Sequence, residues 1–204
     1  TVEDIELMNY AGGGIVAVNA NPKIKNSVFR YNSAYYGGGI YAGMYMDGWI
    51  GKYSETILNC IFEKNHAAYD GSAIHGEAVQ VYLINSTVLD HSYSPGYIGS
   101  AIRAYNTNYT IANSILFPQI PALKTHSYNA ADLSNVKHSI IYGNTANNNI
   151  DAYTLSLADL FIDPQAGNYQ PKPASIGINA GNVNLYNSYS YAMSDVDFLN
   201  TNRV

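Results

Sequence analysis

One six-residue phrase recurs along this chain and restricts what it can fold into: apolar, any residue, Asn, small, any residue, large apolar. It reads Ile24-Lys25-Asn26-Ser27-Val28-Phe29, Ile57-Leu58-Asn59-Cys60-Ile61-Phe62, Leu83-Ile84-Asn85-Ser86-Thr87-Val88 and Ile111-Ala112-Asn113-Ser114-Ile115-Leu116. A fifth copy, Val136-Lys137-His138-Ser139-Ile140-Ile141, has His in the Asn place. Numbering from Asn26 to Asn59, Asn85, Asn113 and His138 gives steps of 33, 26, 28 and 25 residues. A period in the twenties with loop-sized excursions is the mark of a solenoid, whose units bury their apolar faces only by stacking.

Each copy alternates with period two and changes phase once, at Asn-Ser. A phase change within a strand pattern is a bend, so two short strands meet at a corner. Ile24 then points inward, Asn26 occupies the corner, and Ser27 and Phe29 point inward from the next strand. Stacking gives three columns: Ile24/Ile57/Leu83/Ile111/Val136, Ser27/Cys60/Ser86/Ser114/Ser139 and Phe29/Phe62/Val88/Leu116/Ile141. The corner Asn residues fall at the parallel-strand spacing of ~4.8 Å, where each side-chain amide can bond the next. A structural ladder explains them better than catalysis, or than glycosylation at Asn85-Ser86-Thr87. Cys60, the only cysteine, takes the small inward place and reads as a packed thiol.

A second phrase keeps step with the first: Gly12-Gly13-Gly14-Ile15, Gly37-Gly38-Gly39-Ile40, Gly71-Ser72-Ala73-Ile74 and Gly99-Ser100-Ala101-Ile102. Small residues there allow sharp turns and close passage of successive backbones. No helix-opening Lys-Ser/Thr follows, so these glycines are not a phosphate loop.

Together, Gly37–Tyr41, Ile57–Asn65 and the stretch Leu160–Asn182 resemble the right-handed parallel β-helices of the pectin-lyase-like superfamily. The last stretch carries Asp163-Pro164-Gln165-Ala166-Gly167-Asn168-Tyr169 and Ile178-Asn179-Ala180-Gly181. Within that superfamily the chain is most similar to bacterial choice-of-anchor Q domain surface proteins. The resemblance implies an all-β solenoid of about five to six coils with an irregular C-terminal cap. It also implies a secreted or bacterial cell-surface location, adhesive or carbohydrate-binding function, and neighbouring domains in a larger surface protein.

The chain in order agrees. Residues 1–150 read as coils, with Ile5 and Leu7 in the Ser27 and Phe29 columns. Residues 151–204 read as a capping segment: a short helical approach over Leu155–Ile162, then a long-looped lid over the open end of the core, which would otherwise be a bare sheet edge. Pro118, Pro121 and a missing glycine marker predict an irregular third side after Phe117. Charged residues make up 12% of the 204, and the net charge is −5, which disfavours nucleic acid or an anionic membrane as partner. No apolar run is long enough to span a bilayer and no signal peptide is visible. The chain starts inside what looks like a coil, as a fragment or processed product would.

Because the inside is core, function must lie on outward positions or loops. With Ile15, Ile40, Ile74 and Ile102 inward, the next residues stack outward as Val16, Tyr41, His75, Arg103, and those two further along as Val18, Gly43, Glu77, Tyr105. Tyr41, His75, Glu77, Arg103 and Tyr105 thus form one patch. The loop at 44–53, with Trp49, is a second contact surface. Aromatic rings cover sugar faces and charged groups bond hydroxyls or a uronate, so the expected partner is a polysaccharide or cell-surface glycan. The alternative is a lyase acting on uronate glycans by β-elimination, with His75 as base and Arg103 holding the developing charge. β-Helical lyases of this kind pair Lys with Arg and use Ca²⁺; the columns as read hold no Lys, and only Glu77 could serve the metal. No cofactor is expected; Asp195-Val196-Asp197 is the one other place for Ca²⁺. The plain alternative to both is a solvated polar face. His91, six past Asn85 as Asn32 and Asn65 are past their own ladder members, reads as a turn residue. His66 and His126 read as loop residues.

Overall fold

A computed structural model describes residues 1–3, 6–43, 53–97, 99–106, 108–125, 133–143, 145–178 and 180–189. They form an all-β, right-handed parallel β-helix with four parallel sheets along its axis. The first sheet stacks Lys23–Lys25, Ser54–Leu58, Gln80–Ile84, Tyr109–Ala112 and Val136–Lys137. The second, the tallest, stacks Val2–Glu3, Val28–Arg30, Ile61–Glu63, Thr87–Leu89, Ile115–Phe117, Ile140–Ile141 and Ile150–Asp151. The third stacks Glu6–Ala11, Ser33–Tyr36, His66–Asp70 and Ser92–Tyr93. The fourth stacks Ile15–Val18, Ile40–Gly43, Ile74–Glu77, Ile102–Tyr105 and Leu123–Thr125.

The repeated phrase sets the register. Ile24, Ile57, Leu83, Ile111 and Val136 pair in sequence across the first sheet. Phe29, Phe62, Val88, Leu116 and Ile141 do so across the second. The Phe29 and Phe62 rings stack in the core at 5.0 Å and 8°. Removing one such ring from water stabilises the fold by about 1.5–3 kcal/mol, so the continuous core carries most of the stability. Cys60 is buried in its column, its amide donating to the Ser86 hydroxyl; the Ser86 amide donates to the Ser114 hydroxyl in turn.

Every corner residue of the phrase has left-handed backbone: φ is 51° at Asn26, 55° at Asn59, 56° at Asn85, 52° at Asn113 and 49° at His138. Asn enters this region more readily than most side chains, which is the first reason for its recurrence. The second is the ladder itself. Asn85 Nδ2 donates to Asn59 Oδ1 at 2.8 Å, and Asn59 Nδ2 to Asn26 Oδ1 at 3.1 Å. Asn59→Ala is therefore expected to cost about 2–4 kcal/mol, combining a left-handed alanine with a broken ladder. Asn59→Gly should recover the backbone part alone; urea melts of both variants measure the split, and equal losses would leave the backbone reason without support. A second, buried ladder follows the next corner: Asn32 Nδ2 donates to Asn65 Oδ1 at 3.1 Å, and His91 Nδ1 lies 3.2 Å from the Asn65 carbonyl. His91 is the turn residue its alignment predicts.

Four expectations need correction. Leu7 pairs with Ala34 in the third sheet, and Val2 rather than Leu7 takes the Phe29 column, because the first coil has no Asn corner to set its phase. His66 opens a strand, pairing with Ser33 and Ser92. After Phe117 the third sheet gains no further strand among the described residues, as the prolines predict, but the fourth sheet continues regularly, Leu123–Thr125 pairing with Ile102–Ala104. Finally, beyond the seventh rung of the second sheet the C-terminal segment runs along the side of the helix. Ala152, Leu160 and Phe161 bury the outward Leu89, Phe117 and Ile140, and Leu185 packs on outward Leu58, Ile84 and Ala112. Those outward positions are apolar, so they require a cover at the flank. The segment itself contains helix Leu157–Leu160, an antiparallel pair Phe161–Asp163/Asn168–Pro171 and helix Val183–Tyr189.

Candidate functional site

The fourth sheet brings together five of the six predicted binding residues. Val16, Tyr41, His75, Arg103 and Lys124 form one column; Val18, Gly43, Glu77 and Tyr105 form the next on the same side. Trp49, the 44–52 loop, His126 and Asp195-Val196-Asp197 lie outside the described residues.

The patch is more enclosed than its outward register suggests. His75 is 5% exposed and Arg103 6%, whereas Tyr105 is 37% exposed. The Tyr41 ring stacks on His75 at 5.4 Å and 18°, and Tyr36 meets the imidazole edge-on at 4.9 Å. Tyr41 in turn donates its hydroxyl to Glu77 Oε2 at 2.9 Å. Burial, with the nearby Arg103 charge, pushes the His75 imidazole down to about 3, so it is neutral at physiological pH. Its Nδ1 has no hydrogen-bond partner among the described residues. His75 is thus a floor for aromatic rings rather than a surface base, a correction to its expected exposure.

Two members escape the sequence pattern. Asp70 is buried at the end of its strand, where Oδ1 accepts from the Ser100 amide and hydroxyl, each at 2.7 Å, and from the Gly71 amide at 2.9 Å. Its Oδ2 lies 3.7 Å from Arg103 Nε, and the guanidinium sits over the Tyr105 ring at 5.2 Å. Lys124 pairs with Arg103, so the column does hold a lysine. The signal was present, since Pro121-Ala122-Leu123-Lys124 repeats Ser100-Ala101-Ile102-Arg103 with Pro for Ser. Burial draws the Lys124 ammonium below its ordinary value; Asp70 opposes this shift and Arg103 adds to it.

Beside the patch, at the third sheet and the turn that follows it, tyrosines line up across successive coils. Tyr35 and Tyr69 stack at 5.7 Å and 22°, and Tyr69 and Tyr97 are 5.0 Å apart. Tyr36 joins the row at 5.2 Å from Tyr69, which links it to Tyr41 through His75. Tyr97 is 42% exposed, and a hydrogen bond to it holds the Tyr35 phenol above its ordinary range. Only composition hinted at this row, through 20 tyrosines. Among the described residues, no three His, Cys, Asp or Glu side chains cluster as a metal site, and no helix is long and apolar enough to cross a membrane. Compared with protein families, curated proteins and solved structures, the chain matches none.

Proposed function

We propose that the protein is a rigid β-helical module of a secreted or bacterial cell-surface protein of the pectin-lyase-like kind, carrying carbohydrate on its tyrosine face. The observation behind this reading is the row Tyr35–Tyr69–Tyr97, continued by Tyr36 onto Tyr41, with Glu77 and Arg103 alongside. Stacked rungs repeat every ~4.8 Å, close to the length of one sugar unit, so aromatic surface recurs in step with a polysaccharide. Rings held by their neighbours lose little freedom on binding, which favours affinity. Other domains of the same surface protein would supply anchoring. A glycan array tests the reading: at least one glycan should bind, and Tyr97→Ala should weaken it ~10-fold or more, on the scale of one aromatic contact. Absence of binding to any glycan overturns it.

Lys124 beside Arg103 supports a second reading, a uronate lyase, because it supplies the Lys–Arg pairing of β-helical lyases. Lys124, as the neutral amine, would take the C5 proton of a uronate, while the buried Arg103 guanidinium supplies positive charge from beneath the sheet surface. The C5–H electrons then form the C4=C5 double bond and the C4–O bond breaks, its pair leaving on the glycosidic oxygen. Ultraviolet absorbance of an unsaturated product, lost in Lys124→Ala, would favour this reading; no product from any uronate polymer would remove it.

A further inference from the structure

A concavity lies on the opposite side of the Asn corner from the first sheet, between the corner and the C-terminal segment, with a volume of about 520 Å³. That is within the roughly 300–1,000 Å³ of small-molecule sites. Its floor is the outward row Ile61, Thr87 and Ile115 of the second sheet. One edge is the row of corner amides, including Asn85 and Asn113; the facing wall is Asn168, Tyr169 and Gln170. The wall is ordered locally: Asn168 Oδ1 accepts from the Gln170 amide at 3.1 Å, and the Phe161 and Tyr169 rings meet edge-on at 5.4 Å. Asn113 ties the two sides together, donating to the Asn182 carbonyl at 2.9 Å and accepting from the Asn182 amide at 2.8 Å.

We propose that this cleft binds an uncharged saccharide of one or two rings, at a site separate from the tyrosine face. No Asp, Glu, Lys or Arg is among its described lining residues, and His138 is the one lining side chain among them able to carry positive charge, so the cleft offers a charged ligand no fixed counter-charge for the water it would lose. Side-chain amides both donate and accept, matching hydroxyls that do the same; that role falls to Asn168 and Gln170 of the wall, since Asn113 is engaged by Asn182 and Asn85 Nδ2 by Asn59. The floor supplies apolar surface for the C–H face of a sugar ring. An extended peptide fits poorly, because Ile61–Glu63, Thr87–Leu89 and Ile115–Phe117 are interior strands, paired on both sides, and present no edge for strand addition.

The test is a titration of the full ¹⁵N-labelled chain with cellobiose, maltose, lactose, mannobiose and digalacturonate, following the side-chain amide signals of Asn85, Asn113 and Gln170. At least one neutral sugar should shift these signals saturably while digalacturonate leaves them in place. Thr87→Trp, which fills the floor, and Gln170→Ala, an exposed change in the wall, should each weaken binding at least 10-fold; should Thr87→Trp fail to fold, Gln170→Ala decides. Tyr97→Ala should leave the shifts intact, which separates this site from the tyrosine face. No shift with any neutral sugar, equal response to digalacturonate, binding of an extended peptide instead, or persistence in the variants overturns the proposal.

Discussion

Gly38→Ala is expected to cost about 3 kcal/mol or more, a large share of the roughly 5–15 kcal/mol that holds a domain folded. A Cβ at Gly38 would lie 2.2 Å from the His66 carbonyl oxygen and 2.6 Å from that of Ser72. Both obstacles are backbone of the next coil, so no side chain can rotate away. Relief requires separating rungs, which stretches ladder hydrogen bonds and opens the core beneath Ile40 and Ile74 together. Gly96→Ala is the matched control. Its φ of 94° is strained for alanine, but nothing lies within 4 Å of the added carbon, so its loss should stay near 1–2 kcal/mol. Urea unfolding followed by circular dichroism ranks the two, and an equal ranking would mean that the coils are not closely packed at the glycine corner.

The second large effect concerns Glu55. It faces the core from the first sheet, opposite Val81, fully buried, and neither carboxyl oxygen has a hydrogen-bond partner among the described residues. Burial raises its proton affinity to about 8, so the side chain is protonated in the folded protein at neutral pH. In the unfolded chain it ionises near 4.5. Between those values the folded state holds the extra proton, so stability falls as pH rises, by up to about 1.4 kcal/mol per pH unit. The imidazoles of His75 and His91, held by burial at about 3 and about 4, act in the opposite sense. They stay neutral in the fold while the unfolded chain takes protons below about 6.5, so stability also falls on acidification. The expected profile is a dome with its maximum at about pH 6–7. Glu55→Gln should flatten the alkaline limb, and Glu55→Met should raise stability at pH 9 by a few kcal/mol, since no buried charge must then form. Chemical denaturation at several pH values supplies the curve; an unchanged alkaline limb in Glu55→Gln would show that the carboxyl reaches water.

How far the sequence could be read depended on whether one position answered to one neighbour. The Ile, Ser and Phe columns were legible because alternation and the Asn corner each specify face and phase, and the pairings follow residue for residue. Leu7 was misplaced where that corner is missing. Lys124 went unseen because a proline stands where the glycine or serine marker usually does, although Ala122-Leu123 keeps the phase. His75 was assigned the right side of the sheet but the wrong exposure. Exposure is set by the Tyr36 and Tyr41 rings, which arrive from the coil before it, and no pattern within Ile74–Glu77 encodes them. Asp70 looks like any turn aspartate until the fold brings Ser100 and Arg103 to it. The lateral course of the C-terminal segment was implicit in Leu58, Ile84, Leu89 and Phe117, apolar residues at outward positions that a solvent-facing sheet would not carry.

That lateral course changes how the molecule can come apart. A pile of rungs bound only to nearest neighbours frays from its last member inward, each layer departing on its own. Here Leu160 and Phe161 pack across Leu89, Phe117 and Ile140, and Asn182 clasps Asn113, so the tail acts as a buckle over several layers at once. The outermost rung cannot peel away until the buckle opens, and opening it strips the flank of the interior layers as well. Disassembly is thereby shifted from stepwise unravelling toward a single concerted event, giving the end of the stack the lifetime of its middle.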